Sequence, residues 1–208
     1  MKFVIIILII FVLRKLVKPM AKGEVGEREV NKKLESLKGY IVLKDILLKT
    51  DNGTTQIDHI LVGPKGVFVI ETKNFGGTIY GDQWEQYWTQ IFYAKKNKFY
   101  NPIRQNYAHV KAVQHHMKKF DRDMIHSLIV FGDSCNIKKI KVDTPVIQTK
   151  NIKKFIRKYK TDYKLSQDDI KLICDKLNKA NIQTRRARKQ HIKNIKKRAF
   201  TFESAIEF

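Results

Sequence analysis

Cysteine is scarce in this 208-residue chain. Cys135 and Cys174 stand far apart and outside any CxxC arrangement, which excludes a disulfide framework and a cysteine-based zinc site and fits a reduced compartment. Four prolines and ten glycines exclude collagen-like and low-complexity architectures. Acidic residues are few as well: 20 Asp and Glu against 42 Lys and Arg give a formal charge of +22. No apolar run reaches the roughly 20 residues of an ordinary membrane-spanning helix. What is present suffices for a folded body. Hydrophobic residues are 43% and aromatics 11%, enough to bury a real core, so wholesale disorder is excluded. The excess charge favours a polyanionic partner, either nucleic acid or an anionic membrane surface.

The first segment differs from the rest. Phe3 to Leu13 is uninterrupted apolar sequence, followed by Arg14, Lys15, Leu16, Val17, Lys18 and Pro19. Lys2 and the stems of Arg14 and Lys15 can snorkel and lengthen the span. The downstream stretch is basic and has no small-x-small cleavage site, which favours an uncleaved anchor through residues 3–17 over a signal peptide or an interfacial helix. More positive charge follows the run than precedes it, so the expectation is a membrane-anchored protein with its body in the cytoplasm. Met20 is a second potential start that would yield a soluble cytoplasmic form. The organisation expected is an anchor over 1–19, a central domain over 22–135, and a C-terminal extension over 136–208 with a helix and a basic tail.

From Gly23 onward, helical and strand-like patterns alternate. Glu24 to Leu37 reads as an amphipathic helix with Val30, Leu34 and Leu37 on one face. Tyr40 to Leu48 is strand-like and ends at the turn signal Asp51-Asn52-Gly53. Ile57 to Val62 and Val67 to Lys73 are apolar strands flanking Gly63-Pro64-Lys65-Gly66. Short strands or hairpins are expected over Thr78 to Tyr100, a helix from Asn101-Pro102 to His116, and strands at Ile125 to Phe131 and Val146 to Gln148. Ser166 and Asp169 make a capping-box pattern ahead of Ile170, Leu172, Ile173 and Leu177.

The two central strands carry the chemistry. If their connection is an even-length hairpin centred between Pro64 and Lys65, opposed residues sum to 129, and Asp58 faces Glu71. Lys73 then shares a face with Glu71. Opposed carboxylates among Ile, Val and Phe need a partner charge. A divalent cation with oxygen ligands supplies one, magnesium or manganese by preference. Lys73 beside the pair could orient or help deprotonate a water held by that ion. Were Gly66 the bulge residue of a three-residue loop, the register would move by one and Asp58 would turn to the other face. Glu27 precedes Val30 by three residues and Leu34 by seven, which puts it on the buried stripe of the first helix. Its bland alternative is an acid favoured at a helix start by the macrodipole.

Glu27 in Gly23-Glu24-Val25-Gly26-Glu27, then Gln56-Ile57-Asp58-His59, Ile70-Glu71-Thr72-Lys73-Asn74 and Asn101-Pro102-Ile103-Arg104-Gln105-Asn106 together resemble the nuclease-related domain (NERD) family, part of the PD-(D/E)xK nuclease superfamily. The resemblance covers about residues 22 to 135. It implies an α/β fold with a PD-(D/E)xK-like mixed central sheet flanked by helices, a magnesium-dependent phosphodiesterase centre, and often an N-terminal membrane segment. By that resemblance Asp58 and Glu71 would ligate the metal, Glu27 would support it from the helix, Lys73 would assist the water, and Gln105 would orient a phosphate or Lys73. His109 stands where the superfamily's Q-x-x-x-Y pattern has tyrosine.

Other residue groups read as structural. The six histidines share no metal-ligand spacing, and Trp84, Tyr87, Trp88, Phe92, Tyr93, Phe99 and Tyr100 fit core packing and cross-strand pairs better than a base-stacking platform. The tail is different. Lys176 to Phe200 holds no acidic residue, while Arg185, Arg186, Arg188, Lys189, Lys196, Lys197 and Arg198 give the footprint expected for phosphate binding. Near an anionic leaflet the same residues would attract lipid headgroups. The function expected is metal-dependent hydrolysis of DNA at a membrane. The alternative is a catalytically silent nucleic-acid-binding or scaffold module tethered there.

Overall fold

The computed structural model describes residues 23–206, with side chains through residue 195. The anchor expected over 3–17 lies outside the described residues, as do the side chains of Lys196, Lys197 and Arg198. Among the described residues no helix is long and apolar enough to cross a membrane.

Helix α1 (23–35) leads into β1 (Ile41–Thr50), β2 (Gly53–Gly63) and β3 (Gly66–Lys73). A meander follows: β4 (Gly77–Asp82), β5 (Tyr87–Phe92) and β6 (Lys95–Tyr100). Helix α2 (Pro102–His116), β7 (Ile125–Phe131), β8 (Cys135–Lys141) and β9 (Val146–Gln148) come next. Helices α3 (Ile152–Lys158), α4 (Gln167–Ala180) and α5 (Arg185–Ile206) complete the chain.

The strands form two mixed sheets, ordered β1-β2-β3-β7-β9 and β6-β5-β4-β8. The expectation is a single central sheet, so the second sheet is a correction. Its physical cause is the aromatic meander. Trp88 and Ile79 bury themselves against Ile129, Phe131 and Cys135, stacking the small sheet on the large one instead of extending it. Trp88 and Phe131 lie nearly parallel with ring centroids 6.3 Å apart. Helices flank the larger sheet on both sides. Val30 and Leu34 of α1, and Leu37 just after it, pack with Ile152 and Ile156 of α3 against Phe68 and Ile70. On the opposite face, Ala112 and Val113 of α2 and Ile170, Ile173 and Leu177 of α4 cover Val67 and Val69. β3 is therefore buried on both faces over Val67–Ile70, as that apolar run requires.

Two local devices fix the register. Residues Gly63 and Gly66 pair directly across Pro64-Lys65, and the ladder runs back to His59 opposite Ile70, so opposed residues sum to 129. Gly66 has φ +109°, and a Cβ there would meet the Met124 carbonyl oxygen at 2.4 Å, so glycine is required. The Ser166–Asp169 capping box forms as the sequence indicates and starts α4. Burying Ile170, Ile173 and Leu177 then stabilises the docked helix by roughly 1.5–3 kcal/mol each.

Candidate active site at the split between two strands

β2 and β3 stay paired only as far as His59 and Ile70. Beyond that point β2 continues with β1 alone, and β3 continues beside β7. The next opposed pair in this register is Asp58 and Glu71. Asp58 takes over the lost ladder bond: its Oδ2 accepts the Thr72 amide at 2.8 Å. Glu71 has the parity of Val67 and Val69, so it points to the side covered by α2.

α2 is aimed by its first residues. Asn101 Oδ1 accepts the Ile103 amide at 2.9 Å, and Pro102 occupies a first-turn position where no amide is needed. The Asn101 amide nitrogen also donates to the carbonyls of Asp82, Gln83 and Glu85, fastening the helix start to the β4–β5 turn. Asn106 wedges against the sheet by donating to the Val69 carbonyl and the Ser127 hydroxyl. Gln105 and His109, one turn apart, consequently face the end of β3.

There the polar groups interlock. Lys73 Nζ lies 2.6 Å from Glu71 Oε1 and donates to Gln105 Oε1 at 3.0 Å. Glu71 Oε2 meets His109 Nε2 at 3.1 Å, and His109 Nδ1 meets the Thr55 hydroxyl of β2 at 2.7 Å. Glu71 is 2% exposed. Burial alone would push its carboxyl upward, yet Lys73 and His109 outweigh burial and hold it below the usual range. Lys73 shows the mirror effect: burial opposes its charge, but Glu71 raises it above the ordinary lysine value. Asp58 has the opposite fate. Burial, with Glu71 second, drives its carboxyl well above the usual range, and the Thr72 amide only partly offsets this.

Glu27 does not join this cluster by contact. α1 lies against the other face of the sheet, and the Glu27 side chain is exposed rather than on the buried stripe. The expected position is corrected for a simple reason: α1's first turn overhangs the end of β3 instead of lying over the sheet. Gly26 makes the overhang possible, since a Cβ there would meet Asn74 Cβ at 2.3 Å. Glu27 still senses the site. Partial burial, then Asp45 and Glu71, raise its carboxyl.

Two residues of the site are given no role by the sequence. His109 figures there only as a departure from the superfamily's tyrosine and as one of six ordinary histidines, although its i+4 spacing from Gln105 puts both on one helix face. Asp45 lies opposite Asp58 in the β1–β2 register, between the pairs Lys44–His59 and Ile46–Ile57. Its φ of +54° breaks the strand locally, and an aspartate inside an apolar strand is the available signal. Among the basic tail residues, Arg188 is committed inward, to Asp45 Oδ2 at 2.5 Å and the Asp45 carbonyl at 2.9 Å.

Among the described residues no three ligating side chains converge tightly enough to make a closed metal cage. Magnesium and manganese commonly bind through one or two carboxylates and keep several waters, so Asp58 and Glu71 are the residues that would hold such an ion. Burial and Glu71 disfavour the ionised form of Asp58, a cost that such an ion would relieve.

Two mixed sheets flanked by helices, with an acid pair, a lysine and a glutamine gathered where two strands part, define a nuclease-like α/β protein. Residues 22–132 match the nuclease-related domain, and the chain belongs to that family. An uncharacterised protein of Bacillus anthracis is 36% identical over 200 residues, spanning 92% of this chain and 93% of its own length.

Proposed function

We propose that the protein is a magnesium- or manganese-dependent phosphodiester hydrolase acting on DNA. The observation that carries this reading is the convergence of Asp58, Glu71, Lys73 and Gln105 from β2, β3 and α2 onto one point. Asp58 and Glu71 would hold the ion, with Glu27 supporting from the overhanging turn of α1. When bound, such an ion would polarise a phosphoryl oxygen and lower the pKa of an attacking water. The chain's own groups divide the remaining work. Lys73 is held as an ammonium by Glu71 and so serves as a donor to a phosphate oxygen, not as a base. Gln105 fixes the direction of that ammonium, and His109 bridges Glu71 to Thr55, locking the carboxylate against rotation. DNA is preferred over RNA on the family's resemblance and the net charge of +22.

The apolar run Phe3 to Leu13 and the basic residues after it support a membrane anchor through residues 3–17 with the body on the cytoplasmic side. A start at Met20 would release a soluble form.

One observation favours the alternative of a silent nucleic-acid-binding or scaffold module: both oxygens of Glu71 are already engaged by Lys73 and His109. Nicking of supercoiled plasmid, assayed with magnesium, manganese or EDTA, separates the two. The hydrolase reading expects metal-dependent nicking that falls by about 100-fold or more in Asp58→Ala and Lys73→Ala, the scale of losing one transition-state donor. Nicking that survives both substitutions contradicts hydrolysis at this site, and salt-sensitive DNA binding with no cleavage under any metal supports the silent module.

A further inference from the structure

The C-terminal helix is built onto the edge of the sheet beside the acidic site. β1 is the outer strand of the larger sheet, so alternate residues present unpaired backbone groups outward. The chain caps them in series. Arg188 donates to the Asp45 carbonyl, the Asn181 side chain accepts the Leu47 amide, the Ile182 amide donates to the Leu47 carbonyl, and His116 reaches the Lys49 carbonyl. Thr54 adds a bond to His191, which is 7% exposed. α5 is thereby docked through Arg188 and His191, and Asp45, which accepts Arg188, lies opposite Asp58.

Its other face is left to solvent. Arg185, Lys189 and Lys193 follow at i+4 steps, Arg186 lies alongside, and all four are exposed. The stripe from 185 to 193 spans about 12 Å at 1.5 Å per residue, roughly the axial length occupied by three to four phosphates of one DNA strand. Three arginines in the first two turns, with no acid among them, run against the helix macrodipole. An anionic partner along this face reverses that cost.

We propose that α5 is a phosphate-binding rail that leads a nucleic-acid backbone to the site at Asp58 and Glu71, with Arg185, Arg186, Lys189 and Lys193 gripping the phosphates and Arg188 and His191 as its fixings. The rail's destination rests on the hydrolase reading; its binding does not.

The test measures binding of the full chain, in mild detergent, to a fluorescent DNA duplex across a salt series with EDTA present. Cleavage is thus silenced, and a catalytically inert site leaves the result interpretable. Changing Arg185, Arg186, Lys189 and Lys193 to glutamine should weaken binding by tenfold or more at 0.1 M salt. The slope of log affinity on log salt should fall by about 0.9 for each phosphate no longer neutralised. Arg188→Gln should change that slope by less than half as much as Arg185→Gln, while hydrogen exchange at the Leu47 and Ile182 amides accelerates. An unchanged slope in the fourfold variant overturns the proposal, and so does an Arg188→Gln slope change equal to that of Arg185→Gln. Flotation with phosphatidylserine vesicles supplies the other arm: a fourfold variant that loses vesicle binding but keeps DNA affinity also overturns it. Circular dichroism of each variant confirms that the helix persists.

Discussion

Asp58 and Glu71 are neighbours with opposite electrostatic fates. Glu71's folded pKa lies below its ordinary value of 4.5, so its contribution to stability is present above that pH and is lost as pH falls through the folded value. Asp58's folded pKa lies well above 3.8, so its favourable contribution exists only below that ordinary value and is lost as pH rises toward the folded one. At pH 7 Asp58 therefore costs the metal-free protein stability. Asp58→Asn keeps an acceptor for the Thr72 amide and removes the ionisable group. In EDTA it should raise the melting temperature, by about 2–4 °C for each kcal/mol relieved. Manganese should then stabilise the parent protein but not the variant. A variant less stable than the parent in EDTA would contradict this account. The facing of Asp58 and Glu71 is one of two registers the sequence allows, and the direct pairing of Gly63 with Gly66 selects it. The bond from His109 to Glu71 could not be read from the sequence, since it depends on how α2 docks.

At the scale of elements, the site depends on two helices arriving from opposite faces. α2 was legible from Asn101-Pro102, where a capping side chain precedes a residue that needs no amide. What could not be read was the second task of Asn101, holding three carbonyls of the β4–β5 turn. Asn101→Ala should cost about 2 kcal/mol or more, combining removal of the cap with buried carbonyls left unpaired. It should also lower nicking activity more than binding, because Gln105 loses its aim; urea unfolding and plasmid assays check the two parts. α1 shows where periodicity misleads. Spacing from Val30 and Leu34 puts Glu27 on the buried stripe, but a helix's first turn can project past the sheet beneath it. β8 and α3 are hidden for a different reason: β8 carries three lysines among seven residues, and α3 is too short to display a period.

At the scale of the whole molecule, residues beyond the family match complete the core. β9 pairs with β7, and Ile170, Ile173, Cys174 and Leu177 of α4 share a cluster with Ile57, Ile60, Val67 and Val69. A chain ending at residue 135 should thus expose that cluster and fail to unfold cooperatively, whereas one ending at residue 183 should retain a sharp thermal transition. Scanning calorimetry distinguishes them, and cooperative unfolding of the shorter chain would contradict the shared core. The stacking of two sheets was not visible in sequence because it depends on Trp88 meeting Phe131 across elements far apart in the chain.

The central claim is that the parting of β2 from β3 makes a cation site. A manganese-soaked crystal, with anomalous scattering recorded, tests it most directly. The account predicts a peak within coordination distance, about 2.0–2.2 Å by analogy with magnesium, of carboxylate oxygens from both Asp58 and Glu71. A peak elsewhere, or none in crystals of protein that nicks DNA with manganese, would contradict it.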